Sequence, residues 1–149
     1  MGTSTRKLVL DTNVVLDLVL FRDKGIQPIA AAIESGAAVP VTSRACLDEL
    51  NRVLAYPQFK LDTWTQRDAF ARFRSRASLF DATDLSSPAE LPRCADTDDQ
   101  KFLELAWHSN ACCLVTKDRA LLRLARAVAR LGRFVVLEPE TFHRRFQAA

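Results

Sequence analysis

The sequence predicts an α/β protein in which helices cover a mainly parallel sheet. Short apolar runs of strand length alternate along the 149 residues with longer segments of helical pattern. Such alternation is typical of βαβ units, whose parallel strands are buried between helices. The length and the 48% hydrophobic content suit a single domain over residues 1–149, which can bury its core without disulfides.

The first half of the chain contains residues that start or end the predicted elements. Gly36 ends one helical pattern, Ser43 can cap the next helix, and Pro57 closes it. Phe70 and Phe73 lie at helix spacing in the segment that follows. In chain order the expected elements are strand 6–10, helices 14–20 and 26–35, strand 38–42, helices 43–56 and 63–77, and strand 78–82.

The second half begins with a predicted loop over 84–93, which contains two prolines and two serines. Beyond this loop, Gly132 marks the end of a long helix, and the last helix follows Pro139. In chain order the expected elements are helix 99–109, strand 111–116, helix 118–131, strand 133–137 and a short C-terminal helix.

Composition predicts a soluble cytoplasmic protein with no membrane association. The four cysteines form neither a metal-spaced pair nor a disulfide framework, which favours reduced thiols. The apolar run before Asp11 is too short for a signal peptide, and no run reaches transmembrane length. The formal net charge of +3 permits contact with nucleic acid without requiring it.

Acidic residues occur where the predicted strands lead into helices. Asp11 ends the first strand, and Asp118 follows strand 111–116. Asp96, Asp98 and Asp99 cluster at the start of helix 99–109. Ligands in open α/β sheets bind beyond the carboxyl ends of the strands, so these positions are candidates for chemistry. Taken singly, an acid at a helix start is most often only a cap.

Glu49 is a further candidate, because it lies at the edge of the apolar stripe of helix 43–56. Mg²⁺ and Mn²⁺ prefer carboxylate oxygens, and carboxylates gathered in one pocket repel one another unless a cation compensates them. A metal held in this way can activate water and stabilise a leaving oxygen of a phosphodiester. The sequence offers no persuasive Ser-His-Asp or Cys-His set.

Four segments, taken in order, resemble the acidic motifs of PIN-domain proteins. They are LVLDTNV at 8–14, SRACLDEL at 43–50 running on to Pro57, DTDDQKFLELA at 96–106 and LVTKDRALL at 114–122. The resemblance extends from Leu8 to about Leu137 and is nearest to toxin components of toxin–antitoxin systems related to VapC. It implies a three-layer α/β/α sandwich with a mainly parallel central sheet. It also implies Mg²⁺- or Mn²⁺-dependent endoribonuclease activity, an RNA substrate, an antitoxin partner and a homodimer.

The resemblance assigns roles to individual residues. Asp11, Glu49, Asp99 and Asp118 match the catalytic acidic quartet. Asp11, Asp99, Asp118 and Asp96 are the expected metal ligands, and Asp98 can share the role of Asp99. Asn13 and Thr116 are expected to orient the acids by hydrogen bonds. Lys117 can pair with a site carboxylate, contact the scissile phosphate or face water.

Basic residues recur after Asp118. Arg119, Arg123, Arg126 and Arg130 have spacings of four, three and four, which on one helix form a single stripe. We expect Arg119, Arg123, Arg126 and Lys117 to bind RNA, while an acidic antitoxin segment or plain solvent are the alternatives for this stripe. Trp64 and Trp107 are interpreted as packing residues rather than platforms for nucleobases.

Two further functional classes fit parts of the pattern. A phosphatase or receiver domain would use an aspartate as nucleophile, but Asp11-Thr12-Asn13 lacks the second acid that a phosphatase motif requires. The alternative is a catalytically inactive PIN-like module that acts through RNA or protein contacts. Nucleotide-binding folds are disfavoured, because none of the four glycines forms a phosphate loop.

Overall fold

The computed structural model describes residues 5–81 and 86–146, and their centre is a five-stranded sheet. The strands are β1 (Arg6–Leu10), β2 (Ala38–Thr42), β3 (Ser78–Leu79), β4 (Cys113–Val115) and β5 (Val135–Leu137). Their order in the sheet is β3-β2-β1-β4-β5, and every pairing in it is parallel. The predicted parallel α/β architecture is therefore confirmed.

Eight α-helices accompany the strands in these described residues. They are α1 (Thr12–Leu16), α2 (Gln27–Ser35), α3 (Arg44–Leu54), α4 (Thr63–Arg76), α5 (Gln100–Ser109), α6 (Arg119–Leu122), α7 (Ala125–Leu131) and α8 (Pro139–Phe146). Local signals account for several boundaries. The Ser43 hydroxyl accepts the Cys46 N–H at 3.3 Å, and Gly36 and Gly132 end α2 and α7 in the left-handed conformation.

The sheet is buried on both faces, as strand alternation requires. Leu8 and Leu10 of β1 pack into one cluster with α1, α2, α4 and α8, whereas Val9 packs into the other with α5, α6 and α7. Helix α3 contributes to both clusters. Helices thus cover the two faces of the sheet, which confirms the three-layer α/β/α sandwich.

Three expectations about elements need correction. The first helix begins at Thr12 and continues as a π-helical turn over Asp17–Phe21, not as the predicted α-helix over 14–20. The expected strand 78–82 is only Ser78–Leu79, and its last residue lies outside the described chain, as do the first two residues of the predicted loop 84–93. Strands β4 and β5 begin two residues later than predicted, and β4 ends one residue earlier, whereas the predicted bounds of β1 and β2 are confirmed.

The expected helix 118–131 is two helices. The Leu124 N–H bonds to the Leu121 carbonyl, three residues back rather than four, and this tighter turn interrupts the helix axis between α6 and α7. The break lets Leu121 and Val128 both pack under the sheet, where each is fully buried.

The two tryptophans differ in environment. Trp107 packs at the edge of the second cluster beneath the Arg133 guanidinium, which confirms its structural interpretation. Trp64 is 73% exposed on α4, so its interpretation as a packing residue is wrong. The four cysteines are free, and among residues 5–81 and 86–146 no helix combines the length and apolar character needed to cross a bilayer.

Candidate active site at the carboxyl edge of the sheet

The candidate site forms where β1 and β4 end side by side. Leu10 pairs with Val115 in the sheet register, and the Asp11 N–H donates to the Val115 carbonyl at 3.1 Å. The residues that follow each strand, Asp11 and Thr116, therefore leave the sheet at the same point. This is the edge at which parallel sheets bind ligands.

Asp11 is a buried carboxylate with both oxygens held. One accepts the Val14 N–H at 2.9 Å and so caps α1, and the other accepts the Thr116 hydroxyl. Burial raises the pKa of Asp11, and the bonds from Thr116 and Val14 oppose that rise. Two rigid elements thus fix the orientation of this carboxylate.

Thr116 also orients the acid on the next loop. Its hydroxyl oxygen accepts the Asp118 N–H at 2.9 Å, while the Asp118 carboxylate accepts the Leu121 N–H and caps α6. A single buried hydroxyl therefore couples Asp11 to Asp118. The other expected orienting residue, Asn13, lines the site, but within the described chain its side chain makes no hydrogen bond to a carboxylate.

The buried side chain of Gln100 holds the loop that precedes the third acidic segment, residues 96–106. The buried Gln100 amide accepts the Cys94 N–H at 2.7 Å and donates to the Pro92 carbonyl at 3.1 Å, so it braces the loop that leads into the acids. Asp96 then caps the short turn Thr97–Asp99 by accepting the Asp98 N–H at 3.0 Å. Sequence reasoning missed Gln100, because it lies between Asp99 and Lys101 and nothing in the sequence distinguishes it from an exposed polar residue.

Asp99 lies in an electrostatically unfavourable position. Burial, followed by repulsion from Asp96, Asp118, Asp11 and Glu49, raises its pKa to about 7. Within residues 5–81 and 86–146 its carboxylate accepts no hydrogen bond. A cation beside Asp99 would relieve this repulsion and restore the charged form.

Glu49 reaches the site from α3 and is already paired. The Lys101 ammonium donates to one carboxylate oxygen at 2.6 Å, and the Thr12 hydroxyl donates to the other. Lys101 also donates to the Asp98 carbonyl. Sequence reasoning missed both partners of Glu49, and the only sequence signal for Lys101 was its position two residues after Asp99.

These acids share one cavity of about 410 Å³. Its lining comprises Asp11, Thr12, Asn13, Glu49, Arg52, Val53, Tyr56, Asp96, Asp98, Asp99, Lys101, Phe102 and Asp118. The donor chemistry fits a hard divalent cation. In the described chain, however, no three acidic, histidine or cysteine side chains converge closely enough to hold one, so the donors would have to draw together around an ion.

The sequence model of the PIN domain matches residues 7–120, a range that contains all six acids of the cavity. The chain belongs to the PIN-domain family. A chain from the crystal structure of VapBC2 from Rickettsia felis, bound to a DNA fragment from its promoter, has a similar fold. The TM-score is 0.57 at 15% identity, with 89% of this chain and 98% of that chain covered. No curated protein sequence matches significantly.

The basic residues near the acids of this PIN domain are arranged differently from expectation. Lys117 forms an ion pair with Asp17, which raises the pKa of the lysine, rather than with a carboxylate of the cavity. Asp17 is only 8% exposed, so Lys117 pairs with a buried carboxylate. The pair joins the loop after β4 to the π-helical turn after α1.

The expected single arginine stripe is interrupted by the break between α6 and α7. Arg119, Arg123 and Arg126 are exposed, but they lie on two helical segments and the connecting turn. Arg119 lines a cavity next to Asp118. A nucleic acid that contacted all three would have to follow this bend.

Proposed function

We propose that this PIN domain is a Mg²⁺- or Mn²⁺-dependent endoribonuclease and the toxin component of a toxin–antitoxin system. The observation that carries the proposal is the gathering of carboxylates around one cavity, with the pKa of Asp99 raised to about 7. Accumulated negative charge of this kind is costly in an apolar fold and is relieved by a cation.

The residues that would hold the ion are Asp11, Asp99 and Asp118, with Asp96 as a further ligand. A divalent ion bound there supplies a Lewis acid that polarises a phosphodiester and makes water nucleophilic at neutral pH. Glu49 would accept a proton from, or position, the attacking water once Lys101 releases one of its oxygens.

The chain itself contributes orientation. Thr116 fixes Asp11 and the backbone of Asp118 together, so the two acids after β1 and β4 keep one relative position. Asp118 is fixed further by its capping bond to α6. Such positioning lowers the cost of assembling the reactive geometry, because the carboxylates need not be ordered at each turnover.

The proposed partners are RNA, an antitoxin and a second copy of the chain. Arg119, Arg123, Arg126 and Lys117 would contact the RNA backbone, since Lys117 and Arg119 flank Asp118 in the chain and the other two arginines follow it. The similar fold from the VapBC2 complex supports an antitoxin partner. A homodimer is proposed from the resemblance of the sequence motifs to PIN-domain toxins. A ribonuclease of this kind would act in the cytoplasm on cellular RNA.

The decisive experiment is cleavage of a mixed RNA pool with Mn²⁺ or Mg²⁺, with EDTA as a control. Asp11→Asn should reduce cleavage by about 100-fold or more, because loss of a residue that merely supports a ligand already costs 10- to 100-fold. Asparagine still accepts the Val14 N–H, so the fold should persist by circular dichroism.

Asp48→Asn is the matched control. It removes one negative charge beside Glu49, but Asp48 is exposed and lies outside the cavity lining, so its activity should equal that of the wild type. Full activity of Asp11→Asn would contradict the proposal.

A catalytically inactive binding module is the second candidate. It is favoured by one observation, namely that both oxygens of Glu49 are occupied by Lys101 and Thr12. This candidate predicts neither RNA cleavage nor Mn²⁺ binding by calorimetry. Mn²⁺ binding without cleavage would instead retain the nuclease proposal with a narrower substrate than the pool contains.

A further inference from the structure

Three aromatic side chains form a row beside the acidic cavity. We call Phe21, Phe59 and Tyr56 the aromatic row. The Phe21 and Phe59 ring centroids are 6.0 Å apart, and the parallel rings of Phe59 and Tyr56 are 6.5 Å apart. Phe21 is 55% exposed and Tyr56 is 43% exposed, whereas Phe59 is half-buried against the core. Exposed rings of this size forgo the stabilisation that burial would give them.

The aromatic row is continuous with the candidate active site. Tyr56 lines the acidic cavity, whereas Phe21 and Phe59 line a neighbouring cavity of about 490 Å³. Asn13 and Asp118 line both cavities, so the two share a rim at a catalytic candidate. A chain molecule whose phosphate lay at the acids would therefore extend over these rings.

Local backbone structure holds the row in place. Tyr56 and Phe59 belong to the tight turn that closes α3, in which the Phe59 N–H bonds to the Tyr56 carbonyl at 3.1 Å. Pro57 restricts this turn further. Phe21 ends the π-helical turn that Asp17 and Lys117 tie to the loop after β4. The rings thus sit on ordered segments, which reduces the entropy lost when a ligand binds.

Cationic side chains flank the rings. Arg119 lines the cavity with Phe21 and Phe59, and Arg52 lines the acidic cavity with Tyr56. Neither arginine forms an ion pair within residues 5–81 and 86–146. Aromatic faces interleaved with cations are the combination that binds unpaired nucleotides, through base stacking and phosphate contacts.

We propose that the aromatic row is a base-stacking platform for single-stranded RNA, which takes unpaired nucleotides next to the scissile phosphate. This inference rests on the proposed nuclease function and adds to it the residues that would hold the unpaired nucleotides. Duplex RNA cannot use the platform, because its bases are paired and already stacked. The charged neighbours and the shared rim with Asp118 favour RNA over an apolar protein segment.

The test is binding of a fluorescein-labelled 12-nucleotide single-stranded RNA, measured by fluorescence anisotropy in EDTA so that metal-dependent cleavage does not intervene. Tyr56→Ala and Phe21→Ala should each weaken binding by about 5- to 150-fold, the usual cost of losing one stacked base. Tyr56→Phe keeps the ring and should bind like the wild type. The same strand annealed to its complement should bind more weakly than the single strand and should not respond to Tyr56→Ala.

Two controls distinguish base stacking on the aromatic row from charge attraction and from the removal of any exposed ring. Trp64→Ala removes a more exposed ring that lines neither cavity and should leave binding unchanged. Arg119→Gln should lower the slope of log affinity against log salt by about 0.7, whereas Tyr56→Ala should leave this slope unchanged.

The platform is refuted if both alanine variants bind the single strand as the wild type does, or if duplex and single strand bind equally. Failure of the wild type to bind the single strand would also overturn it. Cleavage by the wild type with Mn²⁺ is measured separately. Retained cleavage together with unaltered binding by the variants therefore rejects the platform alone. Binding of the single strand with neither cleavage nor Mn²⁺ binding rejects the nuclease proposal.

Discussion

Asp99→Asn should stabilise the metal-free protein at alkaline pH, although it alters a residue of the proposed catalytic set. In the wild type the pKa of Asp99 is raised from 3.8 to about 7, chiefly by burial and then by the neighbouring carboxylates. The folded protein therefore keeps a proton that the unfolded chain releases. Asparagine has a similar shape to the protonated acid and carries no charge at any pH.

The direction and size of the stability change follow from this rise in the pKa of Asp99. As pH rises through the window from 3.8 to about 7, the unfolded chain ionises Asp99 while the folded protein keeps the proton, so the free energy of unfolding falls. A shift of about 3 pH units corresponds to about 4 kcal/mol. Because Asp99 is only half-buried, solvent screening reduces this to about 2 kcal/mol. The cost is complete above pH 7 and absent well below pH 3.8.

The assay is thermal unfolding in EDTA at pH 8 and pH 5. Asp99→Asn should raise the melting temperature by about 4–8 °C at pH 8 and by less than half as much at pH 5. Mn²⁺ should reduce this difference in melting temperature. The ion stabilises the wild type more than the variant, because the variant lacks one of the proposed metal ligands. Asp48→Asn, an exposed acid outside the cavity, controls for the change in net charge. Equal effects at both pH values, or destabilisation at pH 8, would refute the reasoning.

Two other predictions concern the lysines. Lys117→Met should lower the free energy of unfolding by about 1–2 kcal/mol in urea denaturation, because it leaves the Asp17 carboxylate buried without a cation. The double variant that also carries Asp17→Asn should recover most of this loss. Lys101→Met should tighten Mn²⁺ binding by about tenfold in calorimetry, since the ammonium no longer competes for Glu49 and one positive charge is gone from the site. Unchanged stability in the first case, or weaker Mn²⁺ binding in the second, would contradict these assignments.

The sequence by itself determined the elements that depend on local chemistry. Buried strands can be recognised from short apolar runs such as 6–10, and the ends of helices from a serine cap at Ser43 and from Gly36 and Gly132 in the left-handed conformation. Because parallel strands all present their carboxyl ends at one edge, the same local signals also indicated that Asp11 and Asp118 would share an edge.

Only the tertiary structure decided which partner each polar group finds. Glu49 and Lys101 are 52 residues apart in sequence, and the pairing of Lys117 with Asp17 and the approach of Phe21 to Phe59 likewise join segments that no spacing rule connects. Periodicity shows which face of a helix is apolar, but it carries no information about what a second element brings to that face. These contacts depend on the packing of helices at the sheet edge, and that packing is fixed by burial of the whole core.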